Sequence, residues 1–80
     1  MLNSIQYDRL KPYLPVIKIV GAGKGNTSNK NITLLCNEIW GEMGKQPKNL
    51  SCSYCVFELF KEISDYIRIY EETNGTANGV

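Results

Sequence analysis

The stretch VIKIVGAGKGNTS, residues 16–28, admits two readings that lead to different folds. As a strand feeding a phosphate-binding loop it opens an α/β nucleotide-binding protein. As a docking segment joined to a linker it leaves the fold to the residues downstream. The spacing decides. In a Walker loop, G-x-x-x-x-G-K-[ST], backbone N–H groups wrap the phosphate and the hydroxyl holds Mg²⁺. Counted back from Gly23-Lys24, the first glycine falls on Lys18, and the hydroxyl position is Gly25. A dinucleotide fingerprint, G-x-G-x-x-G, places its third glycine on Asn26 or Ser28. Both folds also need further parallel strands, and the chain beyond residue 28 has no strand pattern.

The downstream residues carry a helical pattern instead. Ile32, Leu35, Cys36, Ile39, Trp40 and Met43 recur at the spacing of one helix face, with Asn29 or Asn31 to cap the start and Gly44 to end it. After a short connection containing Pro47 and Asn49, Cys52, Cys55, Val56, Leu59, Phe60, Ile63, Tyr66, Ile67 and Tyr70 keep the same register for five turns. Glu58, Lys61, Glu62, Asp65, Arg68 and Glu72 occupy the other face, with Lys61/Asp65 and Arg68/Glu72 at i,i+4 spacing.

These patterns predict a mainly α chain whose body is an antiparallel helical hairpin, about residues 32–43 and 51–72. Ahead of it lies an N-terminal docking arm, residues 1–20, extended or partly helical, with a short helix over Ser4 to Leu10. Pro12 and Pro15 forbid one continuous helix there. Residues 21–31 read as a Gly/Asn-rich linker and residues 73–80 as a flexible tail. Val16, Ile17, Ile19 and Val20 have strand composition without a visible partner strand. In a simple hairpin Tyr66, Ile67 and Tyr70 extend past the shorter helix, where residues 1–20 or a second subunit would cover them. These seven residues are the expected partner-binding set.

The three cysteines are the chemical candidates. A C-x-x-C at a helix start, here Cys52-Ser53-Tyr54-Cys55, favours thiolate and serves redox pairs or half of a metal site. Cys36 supplies a third thiol, but a structural zinc site takes four ligands and the chain has no histidine. The competing reading makes all three small apolar core residues, since Cys52 and Cys55 share a face with Val56 and Leu59. Without histidine there is no Ser-His or Cys-His nucleophile pair, so no catalytic residue and no cofactor are expected. Glu38, Glu42, Glu58, Glu62 and Asp65 read as a solvated face.

The net charge of +1 conceals an asymmetry. Residues 1–30 carry Arg9, Lys11, Lys18, Lys24 and Lys30 against Asp8, a net +4, whereas the remainder is net −3. A basic arm on an acidic body meets an acidic protein surface, a nucleic acid through Tyr7, Tyr13 and the arm's cations, or only solvent. No secretory signal is visible and no run approaches the ~20 apolar residues of a membrane span, so the Asn-x-Ser/Thr sites are read as chance and the thiols as reduced.

The segment Leu35-Cys36-Asn37-Glu38-Ile39-Trp40-Gly41, then Pro47, then Cys52-Ser53-Tyr54-Cys55-Val56, with Leu59, Ile63 and Tyr66, resembles small uncharacterised proteins encoded by tailed bacteriophages. In these an N-x-x-aromatic-G turn leads to a C-S-x-C helix start. The resemblance covers residues 35–70 and transfers no functional residue. It implies a virion or assembly component, in the virion or the cytoplasm of the bacterial host. The function expected is therefore that of a non-enzymatic helical interaction protein with a protein partner or self-association, no membrane and no small-molecule substrate. A thiol-based metal or redox module and a weak nucleic-acid-binding accessory protein are the alternatives.

Overall fold

A computed structural model describes residues 1–24 and 30–74. The chain is mainly helical: α1 (Ser4–Leu10), a 3-10 turn (Lys11–Tyr13), α2 (Leu14–Gly21), α3 (Lys30–Glu42) and α4 (Ser53–Asn74), with no strand among the described residues. The linker residues 25–29, Asn29 with them, and the tail residues 75–80 lie outside the described residues.

The first departure from expectation concerns residues 16–20, which are helical rather than strand-like or extended. Pro12 and Pro15 stand in the opening positions of the turn and of α2, where a missing N–H interrupts no helical bond. They divide the segment without unfolding it. Leu10, Leu14, Ile17 and Val20 then recur at spacings of three and four, and they seal one side against the rest of the molecule. Burial along this face outweighs the strand propensity of four β-branched residues, which is a weak and context-dependent preference.

Gly21 and Gly23 are part of this architecture. Lys24 N–H donates to the Ile19 carbonyl at 3.1 Å and Gly23 N–H to that of Val20 at 3.0 Å. This is a Schellman closure of α2, with Gly23 at φ +77° in the left-handed position that favours glycine. The same closure ends α3: Lys45 N–H donates to Trp40 and Gly44 N–H to Gly41, with Gly44 at φ +84°.

The packing corrects the expected antiparallel hairpin of 32–43 with 51–72. The antiparallel partner of α4 is α2, its most extensive neighbour. Lys18 pairs with Glu71, Gly21 presses on Phe60, Lys61 and Ser64, and Gly23 approaches Phe57, so one helix ascends as the other descends. By contrast α3 runs in the same sense as α4, because Leu34 lies near Val56 and Trp40 near Tyr66. The connection between them makes this possible by turning back along α3. Asn37 Oδ1 accepts from Lys48 N–H at 2.8 Å and its Nδ2 donates to the Lys48 carbonyl at 3.2 Å, while Trp40 Nε1 donates to the Gln46 carbonyl at 3.1 Å. The core joins α1, α2, α3 and α4 through Leu10, Ile17, Cys36, Ile39, Leu59, Phe60, Ile63 and Ile67.

The N-terminal segment is thus built into the body. Asn3 caps α1 in a reciprocal box with Gln6, whose Nε2 also donates to Glu42 at 3.1 Å. Tyr7 stacks on Tyr70 with ring centres 4.5 Å apart.

Candidate functional site

The seven residues expected to bind a partner divide into two groups. Ile17, Val20, Ile67 and Tyr70 are core residues that face other elements of the same chain, and Tyr66 is half-buried, its ring edge-to-face with Trp40 with centres 6.0 Å apart. The stripe on α4 is covered by residues 1–21, the intramolecular option of the two. Val16 and Ile19 remain outside. They are 37% and 51% exposed, three residues apart on the side of α2 turned away from the core, and Tyr13 precedes them at the same spacing. Lys18 is the only charged side chain of this helix. Ile5, 71% exposed on α1, is the other large apolar group displayed by the N-terminal segment after Met1.

Two cations of the basic segment, Arg9 and Lys18, are engaged within the molecule. Arg9 pairs with both Glu38 and Glu42, which lie one turn apart on α3. Hydrogen bonds from Gln6 and then Arg9 hold the Glu42 carboxyl below its ordinary range, and the two carboxylates raise the Arg9 guanidinium. Glu71, on α4, accepts from the Tyr7 hydroxyl at 2.8 Å and from Lys18 Nζ at 3.1 Å. Arg9 and Lys18 thus meet carboxylates of α3 and α4. On the opposite side Lys48 reaches Glu62 at 3.1 Å and Glu58 at 3.6 Å, its Nζ 5.4 Å above the Trp40 ring. The hydrogen bond to Glu62 raises its pKa first of all. Glu38, Glu42, Glu58 and Glu62, read as a solvated face, are thus used as ion-pair anchors between elements.

The thiols also separate. Cys36 is fully buried, and burial pushes its thiol up to about 12. Cys52 and Cys55 are only half-buried, contrary to the core reading of all three. Cys52 occupies the N-cap of α4: its carbonyl accepts the first helical bond, from Val56 N–H at 3.0 Å, and its Sγ accepts from Cys55 N–H at 3.2 Å. The Cys55 thiol, the Cys55 N–H and the Tyr54 N–H favour the Cys52 thiolate and lower its pKa. The Cys55 thiol, donating to Cys52 and partly desolvated, is raised. Among the described residues no group of three or more His, Cys, Asp or Glu side chains is placed to hold a metal ion, so Cys36 does not join the pair. A groove of about 380 Å³ is lined by Lys30, Thr33, Leu34, Leu50, Ser51 and Val56. Ser51 and Val56 immediately flank the C-x-x-C in sequence.

No protein family, curated protein or solved structure matches this chain. Among the described residues no helix is long and apolar enough to cross a membrane.

Proposed function

We propose that this chain is a non-enzymatic helical protein-interaction or assembly component that binds a second copy of itself or another protein through the outer side of α2. The observation that carries the reading is that α2 is apolar on both sides. Ile17 and Val20 are sealed inside, while Val16 and Ile19 face outward. A helix that is hydrophobic all round is ordinarily buried all round, and an apolar face left in water marks a contact surface. A chain of 80 residues is also near the size at which association supplements folding. The resemblance of residues 35–70 to small tailed-phage proteins supplies the setting, a phage particle or the bacterial cytoplasm in which one assembles. A nucleic-acid role for the basic segment has less support, since Arg9 and Lys18 are held by carboxylates of the same chain.

Sedimentation velocity over a concentration series, with the double variant Val16→Ser/Ile19→Ser as comparison, tests this. Self-association of the natural chain that disappears in the variant, with the helical circular dichroism unchanged, supports the reading. A strictly monomeric natural chain that also co-assembles equally well with or without the two substitutions overturns it.

A further inference from the structure

We propose that Cys52 and Cys55 form a redox-active dithiol that exchanges with small disulfides and closes into an intramolecular disulfide at the head of α4. The proposal adds a chemical site to the interaction surface and does not depend on that surface.

Three arrangements carry it. The two residues stand at the N-cap and the third position of a 22-residue helix, which places both side chains at its first turn. The Sγ of Cys52 sits 3.2 Å from the Cys55 N–H, so the N-terminal dipole and a backbone donor both favour negative charge on that sulfur. Both thiols are also reachable: each is half-buried, and Tyr54 between them is 66% exposed. Cys36, fully buried on α3, shares none of these features and serves as an internal control.

The exchange balances in two steps. The Cys52 thiolate attacks one sulfur of RS–SR, forming a mixed disulfide and expelling RS⁻. Cys55 then loses its proton, and its thiolate attacks the Cys52 sulfur, forming the Cys52–Cys55 bond and releasing the second RS⁻. Both leaving thiolates take up protons. The chain's two thiols are oxidised and one small disulfide is reduced to two thiols. The direction comes from the geometry, since Cys52 receives the backbone hydrogen bond and Cys55 does not. Glu58 opposes thiolate at both sulfurs, and Lys48 favours it at Cys55.

The full chain is equilibrated in buffers of reduced and oxidised glutathione, quenched with acid, labelled with a maleimide and mapped by peptide mass spectrometry. A Cys52–Cys55 disulfide is expected under oxidising ratios, reversed by reduced glutathione, with Cys36 labelled only after denaturation. Under glutathione disulfide alone, Cys55→Ser should trap a mixed disulfide on Cys52 about tenfold faster than Cys52→Ser traps one on Cys55. Serine is itself a good N-cap, so Cys52→Ser keeps the helix start, and circular dichroism confirms it. Absence of the Cys52–Cys55 bond at every ratio, or equal trapping in the two variants, overturns the proposal.

Discussion

Gly21 touches the backbone of Phe60: a Cβ built on Gly21 would stand 2.9 Å from the Phe60 carbonyl oxygen and 3.0 Å from the Ser64 Cβ. The first glycine of the stretch that resembles a phosphate loop is therefore a point of close approach between two antiparallel helices. Gly21→Ala pushes a methyl group into backbone rather than into a flexible side-chain tip, and overpacking of this kind costs about 1–3 kcal/mol. Gly41 on α3 is the contrast, because its added Cβ meets only Pro47 Cγ at 3.5 Å, an ordinary contact. Gly41→Ala should be neutral or stabilise by up to about 1 kcal/mol, from helix propensity alone. The urea midpoint should fall for Gly21→Ala and hold or rise for Gly41→Ala; a harmless Gly21→Ala would show that α2 does not seat on α4 in this way.

Helices α1, α3 and α4 were legible in the sequence; α2 and the partners of the helices were not. The i, i+3, i+4 registers of Ile32–Met43 and Cys52–Tyr70 specify which side of each helix is buried, and α3 and α4 bury those sides. A register does not say which helix covers it. The decision lay in residues 44–52, where Asn37 and Trp40 tie the connection back along α3 and so place the start of α4 near the start of α3. Nothing in the periodicity encodes those two tethers. The helical form of residues 14–21 had its signal in Pro15 at a helix start and in Leu10, Leu14, Ile17 and Val20. The β-branched composition of the same residues concealed it.

Asn37 makes the connection testable. Its side chain both donates to and accepts from the Lys48 backbone, the amide pair that a strand neighbour would otherwise supply. Asn37→Ala leaves both Lys48 groups without that partner in a half-buried place, at a cost of about 1–3 kcal/mol. Hydrogen exchange should quicken at the Lys48 amide in particular. If Asn37→Asp, which keeps the acceptor, protects that amide no better than alanine does, the tether is not what orders the connection.

Glu71 joins α1 and α2 to the far end of α4. Its side chain is 12% exposed and accepts from the Tyr7 hydroxyl and the Lys18 ammonium. Tyr7→Phe removes one donor and keeps the stacked ring on Tyr70, so its effect isolates the hydroxyl, about 1–2 kcal/mol. Lys18→Met should cost less, under about 1 kcal/mol, because that ammonium is half exposed and screened by salt. A double-mutant cycle read by thermal denaturation checks the order, and Lys18→Met exceeding Tyr7→Phe would reverse it.

Glu42 ties the other side of α1, and it sets a dependence on acid. Its carboxyl is held below the ordinary value of 4.5, first by the Gln6 amide and then by Arg9. A group whose folded pKa is depressed contributes stability that is fully present above its unfolded pKa. That contribution is lost as the pH falls through the lower folded value. Docking of α1 on α3 should therefore be independent of pH near neutrality and weaken below about pH 4.5, the value from which the group is displaced. Glu42→Gln keeps an acceptor for Gln6 but never ionises. It should be less stable than the natural chain at pH 7 and converge toward it at pH 3. Unfolding curves at the two pH values decide: a constant gap between the two proteins would mean that Glu42 is not the group that titrates.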